Sequence, residues 1–243
     1  MRHTYRGFPL QVYLADPLAE GWYDHDWPRM PEIEMLELHR LRAGARIFDL
    51  GAHQCVIALV LSKIVGPRGQ LVAVEANPHN VRIARRNREQ NGAHWLEIVE
   101  AAVAEKSGSV AFSLALNGRV DEGRGEWGTR TVNSLSIDDL ADQYGIPDVL
   151  YIDIEGFEVR ALEGAAKTLR HHPDCFIEVH VGRGLERYGY SAQSVLSFFP
   201  REDYRLYVAR QTESNFHILE DNDRVPKERF FLVAVGTQPE SRA

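Results

Sequence analysis

Apolar and polar positions alternate along this chain between two patterns. Short apolar runs at residues 46–50, 70–74, 96–99, 148–152 and 175–179 read as buried strands. The segments at 55–65 and 78–91 carry helical spacing. A further helix starts at Glu158, with Val159, Leu162, Ala166 and Leu169 on one face. The tail offers a helix over 191–199 and a closing strand pair at 204–208 and 230–235. Upstream, Pro31 opens a helix with apolar Ile33, Met35, Leu36, Leu38 and Leu41, and Gly44 stops it. The first thirty residues hold Tyr5, Phe8, Tyr13, Trp22, Tyr23 and Trp27 among Pro9, Pro17 and Pro28. That spacing is too irregular for an amphipathic helix, so residues 1–43 read as an aromatic lead-in and helix packed on a single domain spanning 1–243. The glycine-rich stretch 117–130 reads as a long loop.

Strands alternating with crossover helices make an α/β fold with a doubly wound, mostly parallel sheet. Ligands of such sheets sit beyond the carboxyl ends of the strands, at the point where strand order reverses. The segments so placed are 49–54, 75–77, 100–103, 153–156 and 178–180, and each carries a carboxylate.

Composition narrows the partners. The 243 residues are 44% apolar, enough for a packed core. The net charge is −7, and no basic stripe exists to track a phosphate backbone, so no nucleic-acid partner is expected. Arg82, Arg85, Arg86 and Arg88 have the spacing of a solvated helix face. Cys55 and Cys175 are too few for a disulfide framework and lack zinc-ligand spacing. The longest apolar run, 55–61, is far short of a membrane span, so a cytoplasmic protein without a membrane partner is expected.

The turn after the first strand reads FDLGAHQCV. A dinucleotide fingerprint needs G-x-G-x-x-G there, and only Gly51 is present, with His53 and Val56 at the other two glycine positions. Asp49, Glu75 and Asp153 would repel a pyrophosphate and attract a cation-bearing cofactor such as S-adenosylmethionine. Glu75 is placed to accept hydrogen bonds from both ribose hydroxyls.

Taken together, FDLGAH at 48–53, VAVEANP at 72–78, EAAVAEKSG at 100–108 and VLYIDIEGFEVRALEGA at 149–165 resemble the FkbM family of class I S-adenosylmethionine-dependent methyltransferases. The D-x-E-G-x-E-x-x-x-L-x-G-A segment is the most specific part. The resemblance implies a Rossmann-like, seven-stranded sheet with an antiparallel C-terminal strand. It implies further that Asp49, Gly51, Ala52 and His53 line the methionine part of S-adenosylmethionine, with Glu75 on the ribose beside Ala76 and Asn77. Ala101 and Ala102 would border the adenine, and Asp153 would face cofactor or substrate. The family usually has Asn where this chain has His53 and glycine where it has Cys55, so the loop here must accommodate a side chain. Cys55 reads as a small buried residue at the start of a helix.

Methyl transfer from a sulfonium is an in-line displacement that rests largely on positioning, with a base helpful for a hydroxyl acceptor. The candidates are Asp153, Glu155 and His180. His180 is preferred because imidazole titrates near neutrality, the alternative being that it only packs beside the sheet. Asp153, Glu155, Glu178 and His180 could instead hold a divalent cation, although no metal is assigned, and Glu155 and Glu158 could simply charge the first turn of their helix. The 117–130 loop, with Trp127, Arg119, Arg124 and Arg130, is long enough to bind an acceptor or act as a lid. The expected function is O-methylation of a hydroxyl on a small-molecule or sugar-containing metabolite, with nitrogen as an alternative target. A catalytically inactive binding or scaffold domain is the competing reading. A nicotinamide-dependent reductase fits poorly, because no Tyr-x-x-x-Lys pair occurs.

Overall fold

The computed structural model describes residues 1–113, 118–120 and 129–237. Its centre is a mostly parallel sheet of seven main strands: β1 (Arg46–Leu50), β2 (Gln70–Glu75), β3 (Leu96–Glu100), β4 (Val149–Ile152), β5 (Asp174–Val179), β6 (Tyr204–Arg210) and β7 (Phe230–Gly236). The spatial order is β6-β7-β5-β4-β1-β2-β3, with His217–Ile218 added outside β6 as an eighth, two-residue edge strand. β1 pairs in parallel with both β2 and β4, whereas β7 runs antiparallel to β5 and β6. The sheet and its antiparallel C-terminal strand are therefore as the sequence predicts. The chain builds outward from β1 through β2 to β3, then returns to β4 on the other side of β1. This puts the reversal between β1 and β4.

The central strands are buried almost throughout because both faces are covered. Alternation along β1 divides the core: Ile47 packs with Leu59, Leu71 and Phe176 on one face, and Phe48 and Leu50 with Val72, Leu150 and Ile177 on the other. Helices α1 (Val56–Val65) and α2 (Pro78–Gln90) follow β1 and β2 as expected. The arginines of α2 do face solvent. Arg85 pairs with Glu100 at 3.3 Å, and the Arg86 guanidinium lies 3.9 Å from the Tyr13 ring centroid.

Three local expectations are corrected. The aromatic lead-in contains a hairpin, Arg2–Tyr5 with Phe8–Gln11, and a helix, Pro17–Tyr23, whose cap Asp16 accepts a hydrogen bond from the Ala19 N–H at 2.8 Å. What docks this segment is backbone recognition: Asn87 accepts from Tyr13 N–H, and Asn91 from Gln11 N–H. Apolar periodicity cannot register such contacts. The helix expected from Glu158 is split into α3 (Glu158–Glu163) and Ala166–Leu169, because the chain at Gly164 passes so close to Ala104 that a Cβ there would lie 2.5 Å from its carbonyl oxygen. Thr129 and Arg130, expected in the long loop, begin the strand Thr129–Leu135, which pairs with Gly108–Ser113 and Ala102–Val103 in a small second sheet. Arg124 and Trp127 lie outside the described residues. No helix among the described residues is long and apolar enough to cross a membrane.

Candidate active site

A cleft of about 510 Å³, open solvent included, lies beyond the carboxyl ends of β1 to β4. Its lining includes Gly51 after β1, Glu75 and Ala76 at the end of β2, Ala101 and Ala102 after β3, and Asp153 and Glu155 after β4, so it sits at the strand-order reversal. His53 also faces it. Ala52 is buried with its N–H bonded to Val74 O, and Asn77 caps α2 by accepting from His79 N–H. These two expected cofactor contacts shape the rim and are not part of the lining. Asp49 is buried on β1, and its Oδ2 has no hydrogen-bond partner.

Glu75 is the best-held group in the cleft. Its Oε2 accepts the His53 N–H at 2.8 Å and its Oε1 the Asn77 N–H at 2.7 Å, and the Asn80 side chain and the Ala76 N–H also bond the carboxylate, so it is fixed. Burial nevertheless pushes its pKa up to about 7, against the lowering effect of those backbone bonds and of Asn80. Asp49 is likewise pushed up to about 7, by burial first and the Glu75 charge second. Two adjacent carboxyls poised to ionise near neutrality favour a ligand that brings positive charge.

The loop after β1 needs unusual backbone. Gly51 has φ +92°, and a Cβ there would lie 1.9 Å from the Asp153 carbonyl oxygen. His53 and Cys55 have φ of 49° and 62°, in the left-handed region that L side chains enter at a cost of about 1–2 kcal/mol. Cys55 thus holds a backbone conformation suited to glycine. The Cys55 side chain is buried, as expected, and free. The His53 ring packs against Trp22 and Tyr23, at centroid distances of 5.3 and 6.1 Å, and burial lowers its pKa to about 4, so it is neutral near pH 7.

Behind Asp153 and Glu155 lies His180, fully buried at the end of β5. Its Nδ1 is 2.7 Å from Glu158 Oε1, and its Nε2 is 3.7 Å from Asp153 Oδ1, 3.6 Å from Glu155 Oε2 and 3.7 Å from Glu178 Oε1. Burial alone would lower its pKa. The hydrogen bond and charge of Glu158, then the charges of Asp153 and Glu155, overcome that and raise it to about 10. An imidazole in this state already carries its proton at neutral pH. That shift weighs against the expected role of His180 as the base and brings its carboxylate neighbours forward as candidates. Asp153 is pushed well above the usual carboxylate range by burial and then by Glu178, with His180 opposing.

Phe112 of the second sheet and Gly118 and Val120 wall the cleft beside Arg119, which the sequence offered for an acceptor, and Phe157 closes it from the turn before α3; Phe112 and Phe157 escape a sequence reading. Glu158 is fully buried and holds both His180 and the Gly156 N–H, at 2.8 Å, so its role as a dipole-facing charge is secondary. An acid three positions after Glu155 and five after Asp153 was the available signal, but partnership with a residue 22 positions away was not visible.

The family model for the methyltransferase FkbM domain matches residues 49–206. The chain is 33% identical over 76 residues to the probable cobalt-precorrin-6B C(15)-methyltransferase (decarboxylating) of Sulfolobus acidocaldarius, covering 30% of this chain and 40% of that protein. It is 37% identical over 81 residues to protein-L-isoaspartate O-methyltransferase 1 of Archaeoglobus fulgidus, covering 33% and 37%. It thus matches about two fifths of the length of these curated relatives. Among solved structures, the methyltransferase FkbM of Methylobacillus flagellatus KT superposes with a TM-score of 0.55 at 18% identity, over 85% of this chain and 48% of that one. That likeness establishes the Rossmann-like methyltransferase fold.

Proposed function

Because the chain belongs to the FkbM methyltransferase family, we propose that it transfers a methyl group from S-adenosylmethionine to a hydroxyl of a small-molecule or sugar-containing acceptor. The observation that carries the cofactor reading is the Glu75 carboxylate, held by backbone N–H groups at the end of β2 and lining the cleft, where a ribose diol would meet it. The donor set fits the rest of such a cofactor. Ala101, Ala102 and Phe112 supply apolar wall for a base, and Asp49, with its unpartnered Oδ2, supplies negative charge for the amino-acid end. When bound, S-adenosylmethionine supplies an electrophilic methyl on a sulfonium.

The chain's own residues then position and deprotonate. The Asp153 N–H donates to Leu50 O at 3.0 Å, which pins the start of the post-β4 turn beside β1. Asp153 would accept the proton of the acceptor hydroxyl, its raised pKa making it a stronger base than an ordinary carboxylate. Glu155 and the charged His180 orient it, and Phe112, Val120 and Phe157 exclude water.

Calorimetric titration with S-adenosylhomocysteine, and separately with NADH, tests the reading. Saturable binding of the first alone supports it, and an acceptor screen by S-adenosylhomocysteine release then follows. Binding of neither would favour a domain that has lost turnover. Glu75→Ala is expected to weaken S-adenosylhomocysteine binding by about 1–3 kcal/mol, the range for hydrogen bonds to a charged group. Unchanged affinity would remove Glu75 from the ribose.

The same titration should depend on pH. Asp49 and Glu75 are partly protonated near neutrality, and an ammonium-bearing ligand binds their ionised forms, so binding expels protons. Affinity should rise as pH increases from about 6 to about 8, by up to about tenfold for one pKa unit of coupling. Proton release, read by repeating the calorimetry in buffers of different ionisation enthalpy, should shrink in Glu75→Ala. Affinity that falls over this range would contradict the charge assignment.

A further inference from the structure

We propose that Asp153, Glu155 and His180 form a site for one divalent cation, Mn²⁺ or Mg²⁺, at the carboxyl ends of β4 and β5. One ligand atom from each lies within 4.8 Å of the other two. His180 Nε2 is fully buried, has no hydrogen-bond partner and is aimed into the carboxylates.

The distances have the right size. Oxygens at 3.6 and 3.7 Å from Nε2 are too far for a hydrogen bond. Ligands bound at about 2.0–2.2 Å to a common ion stand roughly 3.0–3.6 Å from one another, close to the separations of these two oxygens from Nε2. The other ring nitrogen is already arranged for ligation: Glu158 Oε1, 2.7 Å from Nδ1, holds a proton there, so a cation displaces only the proton at Nε2 and takes that nitrogen as its ligand. A carboxylate behind a ligating histidine is the usual means of fixing its tautomer.

Charge points the same way. Asp153, Glu155, Glu158 and Glu178 surround a single imidazole, and Arg229, 2.9 Å from Glu178 Oε1, is the only arginine paired with them among the described residues. Glu178, tied to Arg229, stays outside the ligand set. Three protein ligands leave coordination positions for oxygens from the cleft, where an acceptor hydroxyl would become more acidic. Mixed imidazole and carboxylate donors suit Mn²⁺ better than Ca²⁺.

The test uses the full chain after EDTA treatment, titrated with MnCl₂ and followed by the electron paramagnetic resonance signal of free Mn²⁺. The expected result is one Mn²⁺ per chain, with proton release in parallel calorimetry. Glu155→Gln, at a partly exposed position, should weaken binding at least tenfold, as should His180→Gln if it melts cooperatively, while Glu89→Gln on the exposed face of α2 leaves it unchanged. No loss of free Mn²⁺ signal at millimolar metal, or equal binding by wild type and Glu155→Gln, overturns the proposal. The cation site does not depend on the cofactor reading: S-adenosylhomocysteine binding in EDTA with no Mn²⁺ response refutes the former alone, and the converse refutes the latter alone.

Discussion

An Asp153→Asn enzyme turns over about 10²- to 10⁴-fold more slowly than wild type with any acceptor that supports S-adenosylhomocysteine release, the range for losing a positioned general base. The amide is isosteric, so the turn after β4 keeps its Asp153 N–H bond to Leu50 O and its packing over Gly51. What disappears is an oxygen able to take a proton. Wild-type Asp153 has an unpartnered, buried Oδ1 and a pKa raised by burial and by the Glu178, Glu155 and Glu158 charges against His180. The variant should keep its affinity for S-adenosylhomocysteine within a few-fold, and its rate should lose the acid limb of the pH profile. A deficit repaired by saturating Mn²⁺ belongs to weakened cation binding, and one that survives belongs to the proton. A turnover number close to wild type would leave Asp153 as a wall of the cleft.

How much of this was legible in the sequence follows from where each contact is made. The parallel strands were readable because burial on both faces makes them uninterrupted apolar runs, as in 46–50 and 149–152. Gly51, Glu75, Ala101, Ala102 and Asp153 were readable because the fold places whatever follows a strand at the rim. Phe112 was not, since it reaches the cleft only through a second sheet whose strands are polar on one side. The N-terminal hairpin was hidden because the Asn87 and Asn91 side chains hold its backbone. Residue type placed His180 near the chemistry, but its charge state depends on Glu158, Asp153 and Glu155 arriving from another strand end. The carboxylates facing the imidazole raise its pKa, which its solution value does not show.

That dependence makes Glu158→Ala the most damaging single change expected for stability, at about 3–5 kcal/mol, the cost of removing one partner of a buried ion pair. Glu158 and His180 are both fully buried, 2.7 Å apart, and Glu158 Oε1 also accepts the Gly156 N–H. Alanine leaves a charged imidazole without its nearest counter-ion and an orphaned backbone donor in a turn where Gly156, at φ +100°, packs 2.6 Å from Gly184 by its would-be Cβ. In a domain of this size the loss corresponds to a melting temperature lower by roughly 10 °C. Glu158→Gln separates charge from hydrogen bonding, because its amide oxygen still accepts from one donor. It should recover part of the stability, and the remaining gap measures the charge. Denaturant unfolding with an unchanged slope is the appropriate reading. A loss below about 1 kcal/mol in Glu158→Ala, within the range of an ordinary hydrogen bond, would mean that His180 is buried neutral and that the carboxylates around it hold the protons instead.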